Sequence, residues 1–222
     1  MILAHPSINS QLCINDSNIT EWIIESPELF TKYLCELCSQ VNGSEGLFVL
    51  SEEDKELSIS KVVEIITNPL TIDINDKKIL TKIYNELQSL ANDETMYLRT
   101  REIVAALQEY FYELEHNYET TLFIDEDIEL PALFKVLGVK IESDSLDFFE
   151  KLIQYIKIQN VILNKKLIVL VNIKSFLTNE QLEQLFLFMR HNEIKLLLYE
   201  SIQRDFTEST KKYIIDVDQC EI

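Results

Sequence analysis

The chain has 222 residues, 46% hydrophobic and 26% charged, with 20 Lys+Arg against 38 Asp+Glu and a formal charge of −18. That length suffices for one generous core or two small ones, and the apolar fraction excludes wholesale disorder. The acidity excludes indiscriminate coating of nucleic acid or an anionic membrane, because the long-range field repels both, so any DNA contact needs a local basic surface. No run of about 18 apolar residues is present to span a bilayer. The start MILAHPSINS lacks the basic residues and apolar core of a signal peptide, which points to the cytoplasm. Cys13, Cys35, Cys38 and Cys220 are too scattered for a disulfide framework. Cys35 and Cys38 form one CxxC in an apolar helical stretch without a second pair for zinc, and read as small residues on a buried helix face.

With only 3 Gly and 4 Pro, boundaries come from changes of hydrophobic period. Alternation over residues 8–14 and 18–24 predicts a short hairpin, with Asn15, Asp16 and Ser17 in its turn. Ser26-Pro27 marks a helix start, and that helix runs to about Val41 and stops at Asn42-Gly43. Residues 47–50 (LFVL) have the composition of a strand buried on both faces. From about Leu70 to Leu114 the period becomes helical: Ile79, Ile83, Leu87 and Leu90 recur at helical spacing, and Ile103, Ala106, Leu107, Tyr110, Phe111 and Leu114 do so again. The polar turn at Asn92, Asp93 and Glu94 between them predicts an αα-hairpin protruding from an α/β body. Further on, a helix over residues 148–161, a strand at 167–173, a helix over 178–190, a short strand at 196–199 and an edge strand at 213–217 follow. Strands joined by helices imply a parallel sheet covered on both faces. The expected architecture is an α/β head made of residues 1–70 and 138–222, interrupted by a helical leg over 71–137.

Chemistry motifs are sparse. A phosphate-binding loop after LFVL would carry glycines and a Lys-Ser or Lys-Thr pair, whereas SEEDKELS supplies Glu52, Glu53 and Asp54, which repel a triphosphate. There is no GxSxG and no HExxH, and His5, His116 and His191 lie far apart, each reading as a surface or packing residue.

The charge map says more. Residues 1–54 carry −8, 55–108 carry −1, 109–129 carry −8 without a single Lys or Arg, 130–174 carry +3, and 175–222 carry −4. Glu115 and Glu119 share a helix face, and Asp125, Glu126, Asp127 and Glu129 follow on a loop. Oxygen-only ligands of this density suit a hard cation such as Ca²⁺, although the spacing is not an EF-hand; a solvated acidic face is the alternative. Among the lysines, Lys165 and Lys166 precede a strand and fit an exposed turn, and Lys135 and Lys140 bracket Gly138 near the end of a short helix. A few lysines on one chain bind DNA poorly, but a symmetric ring would line a shared basic surface with them.

The stretch from Leu114 to about Thr178, with LEH, DEDIELPALFKVLGVKIES, FFEKL and KKLIVLVNIKSFLT, resembles the small CRISPR-associated proteins of type II-A adaptation modules, which form rings on double-stranded DNA ends. The order of elements agrees over nearly the whole chain. The resemblance implies a degenerate P-loop NTPase-like head without a nucleotide site and a non-catalytic, Ca²⁺-binding homotetramer that encircles linear double-stranded DNA without sequence preference. It also implies a role in spacer acquisition, with the other adaptation proteins and the effector nuclease as partners. Carried over, Lys135 and Lys140 become the leading DNA contacts, with Lys151, Lys157, Lys165 and Lys166 behind them. Glu115, Glu119, Asp125, Glu126, Asp127, Glu129 and Glu142 become metal candidates, and Ca²⁺ is expected to fix the leg so that the ring closes. Two rival classes stay open: a metal-dependent nuclease or cryptic NTPase, and an acidic module that touches only other proteins.

Overall fold

The computed structural model describes residues 1–15, 19–125, 127–143, 145–204 and 210–222. Two units result, one built from Met1–Ile74 with Ser143–Ile222 and the other from Asn75–Glu142.

In the first unit, β1 (Ile2–Ala4), β2 (Leu12–Cys13), β3 (Thr20–Ile24), α1 (Pro27–Val41), β4 (Val49–Glu52), β5 (Lys55–Leu57), α2 (Ile59–Val62) and β6 (Val63–Ile66) come first. The helical unit then holds α3 (Lys77–Ala91), α4 (Tyr97–His116) and α5 (Leu130–Val136). The chain returns to the first unit through α6 (Phe148–Val161), β7 (Leu167–Val171), α7 (Asn179–His191), β8 (Lys195–Glu200) and β9 (Lys211–Ile215). Five strands form one parallel sheet in the order β6-β7-β8-β3-β9, and a second, antiparallel sheet has the order β2-β1-β4-β5. The expected α/β architecture with a parallel sheet is therefore present. Every residue of β3 and β7 is buried, as strands covered on both faces must be. Trp22, Tyr199, Tyr33 and Phe48 pack in the core on one side of this sheet, with Trp22 and Tyr199 edge to face at 5.1 Å.

Several local expectations change. Residues 8–14 and 18–24 do not form a hairpin: β2 pairs with β1 in the small sheet, while β3 lies between β8 and β9 in the large one. Alternation identifies strands but not their partners, because pairing is a tertiary choice. Of the supposed turn Asn15, Asp16 and Ser17, the last two lie outside the described residues. The LFVL segment is likewise not a doubly covered strand. Leu47 and Val49 are exposed while Phe48 and Leu50 are buried, the alternation of an antiparallel strand with one wet face. SEEDKELS is not a strand-to-helix loop but runs through the β4–β5 hairpin, at whose tip Glu53 and Asp54 take φ of 49° and 60°. The apolar stretch after it divides into one helical turn and the edge strand β6. The last strand starts two residues earlier than read, at Lys211, and does stand at the sheet edge.

Helix ends follow local chemistry. The α6 and α7 helices open with reciprocal capping boxes, Asp147 with Glu150 and Thr178 with Gln181. Ser26 stands at the α1 N-cap but makes no side-chain cap bond, so Pro27 alone sets that start. The same helix ends where Gly43 takes φ +93°. Cys35 is exposed and Cys38 half-buried, so the CxxC does not sit on a buried face.

The helical unit is a hairpin with α5 folded back on α3. In its turn Asp93 accepts hydrogen bonds from Thr95 N at 2.8 Å, Thr95 Oγ1 at 2.6 Å and Met96 N at 3.0 Å. Tyr84 of α3 donates to Val139 O at 2.8 Å and meets Phe134 of α5 ring to ring. At the base, Asn75 donates to Ile141 O at 3.0 Å and accepts from Ile141 N at 2.8 Å. One side chain thus joins the first and last segments of this unit.

Candidate nucleic-acid interface

Strands of a parallel sheet all begin at the same edge, so residues that precede them share it. Lys61 comes just before β6, Lys165 and Lys166 before β7, Lys195 opens β8, and Lys211 and Lys212 open β9. Four of the five strands therefore bring lysine to one edge, although these residues are spread over most of the sequence. Lys61 and Lys211 are exposed. The Lys211 ammonium lies 5.0 Å from the Tyr213 ring centre, and its hydrogen bond with the Tyr213 hydroxyl raises its pKa. Glu52 bridges Lys166 at 2.9 Å and Lys195 at 3.1 Å, and these two hydrogen bonds hold its carboxyl below the usual range. Glu52 thus sits between two cations. Lys165 is committed differently: its ammonium donates to Ser60 O at 2.9 Å and Val63 O at 2.7 Å, tying α2 to the start of β7.

Of the other expected DNA contacts, Lys157 is exposed and Lys151 half-buried, both on α6. Lys135, in the last turn of α5, and Lys140 are exposed in the helical unit. Lysines 61, 195, 211 and 212 escaped the sequence reading, since only sheet order brings them to the same end of the sheet as Lys165 and Lys166.

The acidic candidates all belong to the helical unit, apart from Glu126, which lies outside the described residues. Glu115 accepts from Leu122 N at 3.1 Å, turning the chain back after α4. Glu119, Asp125, Asp127, Glu129 and Glu142 are exposed. Asp127 faces a recess of about 170 Å³ with Gln88, Asn92 and Arg101. Among the described residues, no three acidic, histidine or cysteine side chains gather as a metal site. The donors are the hard oxygens Ca²⁺ prefers.

At the opposite, carboxyl edge of a parallel sheet, α/β proteins commonly take their ligands. Here that region is filled by the chain itself. Lys174, just beyond β7, donates to Glu21 Oε2 at 2.7 Å, with side chains 3% and 0% exposed. Glu200 accepts from Lys174 N at 3.3 Å, and Arg204 donates to Lys174 O at 2.7 Å. Burial pushes the Glu200 carboxyl up to about 7, partly offset by the Lys174 amide and ammonium. Asn172, at φ 50°, accepts from both Ser201 N and Ser201 Oγ at 2.9 Å, stitching the two loops together. The connection from β3 to α1 is only Glu25 and Ser26, too short to wrap a phosphate in backbone amides. Lys174, counted in the basic segment from sequence, is thus a buried structural cation. His5 is structural too, packed on Tyr33 and Phe48 with its Nε2 at 3.3 Å from Glu36.

These features define an α/β protein with a parallel sheet, a helical insertion, and a strand-to-helix turn unsuited to phosphate. The chain belongs to the Csn2 family of CRISPR-associated proteins, whose family model matches residues 40–219. It is 28% identical over 191 residues to the CRISPR-associated protein Csn2 of Enterococcus faecalis, covering 83% of this chain and 82% of that one. It is also 28% identical over 204 residues to Csn2 of Streptococcus agalactiae, covering 91% and 89%. The crystal structure of Stu0660 of Streptococcus thermophilus shares the fold with a TM-score of 0.61 at 15% identity, covering 97% of this chain and 74% of that one. The family resemblance read from LGVKIE and its surroundings therefore holds, and it places the chain in CRISPR adaptation. No helix among the described residues is long and apolar enough to cross a membrane.

Proposed function

We propose that this protein binds double-stranded DNA ends without sequence preference, as a calcium-dependent homotetrameric ring. It catalyses no step itself and serves spacer acquisition beside the other adaptation proteins and the effector nuclease. The observation that carries the reading is the lysine edge of the parallel sheet, a local basic surface on a chain of charge −18. Lysines are point charges on flexible stems, suited to phosphates at any sequence rather than to base edges. Lys135 and Lys140 are the further contacts of the helical unit. Calcium enters through the oxygen chemistry of the acidic segment, as a neutraliser of its eight carboxylates.

Gel-shift titration of Lys61→Glu/Lys211→Glu and of Lys135→Glu/Lys140→Glu tests this on unrelated duplexes. Each pair should weaken all duplexes alike and flatten the salt dependence by about 0.9 per lost phosphate contact. Wild-type affinity in both, or a loss confined to one sequence, would overturn it. Linear DNA should be captured in preference to closed circles, and EGTA should lower both tetramer mass and DNA affinity. Cleavage of labelled DNA in Mg²⁺ by pure protein would favour a nuclease instead.

A further inference from the structure

Glu52 makes two ion pairs, one on each carboxylate oxygen: Oε2 with the Lys166 ammonium at 2.9 Å and Oε1 with that of Lys195 at 3.1 Å. A phosphodiester presents its two free oxygens to a pair of ammonium groups in the same manner. The carboxylate therefore stands where a backbone phosphate would, on the lysine edge itself. Hydrogen bonds from Lys166 and Lys195 keep its carboxyl below the usual range, so at neutral pH both lysines are committed to it. Lys61 is close by, since the carbonyl of its neighbour Val62 accepts from Lys166 N at 2.7 Å.

These ion pairs are not what holds the hairpin. The β4 strand is already paired with β1 and β5, with Glu52 opposite Lys55 and Leu50 fully buried. The side chains of Lys166, Glu52 and Lys195 are 49%, 25% and 17% exposed, and pairs this open to water add little to stability. The same strand pairing prevents Glu52 from leaving: its side chain can turn aside, but its backbone stays. The hairpin is acidic as a whole, with Glu53, Asp54 and Glu56 exposed beside the single Lys55.

We infer that Glu52 is a built-in competitor of phosphate for Lys166 and Lys195, and that it restricts the lysine edge to ligands carrying many phosphates in a row. The inference rests on the DNA binding proposed above and names what limits it. A single phosphate meets an anion tethered at high effective concentration and does not displace it. A duplex engages Lys61 and Lys211 at the same time, and these contacts offset the cost of turning Glu52 aside.

Gel-shift titration of the full chain on a linear duplex tests this, with Glu52→Gln as the variant that keeps the shape and removes the charge. Glu52→Gln should bind roughly tenfold tighter at low salt, with the gain shrinking at high salt and the salt dependence steeper by about 0.9 for each lysine released. Glu53→Gln, an equal change of net charge at the hairpin tip, should gain much less. Adding Lys166→Gln and Lys195→Gln to Glu52→Gln should abolish the gain. Inorganic phosphate should compete with the duplex at lower concentration for Glu52→Gln than for the wild type. A folded Glu52→Gln with wild-type or weaker affinity, an equal gain in Glu53→Gln, or a gain that survives the loss of both lysines would overturn the inference. A Glu52→Gln that fails to fold would overturn it too, since the pairs would then be structural. Duplex binding that falls in Lys61→Glu/Lys211→Glu but is unaltered in Glu52→Gln would defeat the competitor and keep the proposed function. Duplex bound by Glu52→Gln and not by the wild type would do the reverse.

Discussion

Replacing Lys174 by Met tests how the first unit is held together at its carboxyl edge. The ammonium lies 2.7 Å from Glu21 Oε2, with side chains 3% and 0% exposed, and Glu21 Oε1 has no hydrogen-bond partner among the described residues. Truncation therefore leaves a carboxylate in the middle of a parallel sheet without its counter-charge. Breaking a buried pair from one side costs about 3–5 kcal/mol, far more than an exposed ion pair contributes. At roughly 2–4 °C per kcal/mol for a chain of this size, the melting temperature should fall by roughly 6–20 °C. The only tryptophan, Trp22, neighbours Glu21 on β3 and is 1% exposed. Its fluorescence in a urea titration thus reports the unfolding of this unit directly. Glu21→Met/Lys174→Met removes both charges and should regain most of the loss, because a matched apolar pair avoids the desolvation of two ions. A loss under about 1 kcal/mol for Lys174→Met would refute the reasoning, as would a double variant no more stable than the single one.

Glu200→Gln should flatten the dependence of stability on pH. The folded carboxyl is raised from 4.5 to about 7 by burial, so its protonated form is the one the fold favours. Its stabilising share is complete below about pH 4.5 and is lost as pH rises through 7, a decline of about 3 kcal/mol that the variant should lack. Urea midpoints from pH 5 to pH 8.5 check this, and parallel curves for the two proteins would contradict it. Asn75→Ala removes both bonds to Ile141 and should destabilise the helical unit by roughly 1–3 kcal/mol. Hydrogen exchange over residues 75–142 should then accelerate roughly tenfold or more, with β7 and β8 unchanged.

Much of the secondary structure could be read from local pattern. The α3–α4 hairpin follows from apolar rows of period 3.6 on either side of Asn92, and α7 from the Thr178–Gln181 capping box, because such signals act within a few residues. β7 was evident as LIVLV, since a strand covered on both faces has no polar side to show. Residues 63–66 were not recognised as a strand, for a four-residue apolar run after a helical turn has no period of its own.

What the sequence determined by itself is the class of fold, the family, the acid-rich character of residues 109–129 and the lack of a glycine-rich phosphate loop. These depend on composition and on neighbours along the chain. Tertiary structure alone decided the rest. Sheet order moved β3 out of its supposed hairpin and set it between β8 and β9, which put Glu21 within reach of Lys174, 153 residues away. The common direction of the strands gathered lysines 61, 166, 195 and 211 at one edge. A lysine in sequence is only a charge. Whether it faces a phosphate, spans a carboxylate as Lys166 does, or is sealed in the core as Lys174 is, depends on which distant strands lie beside it.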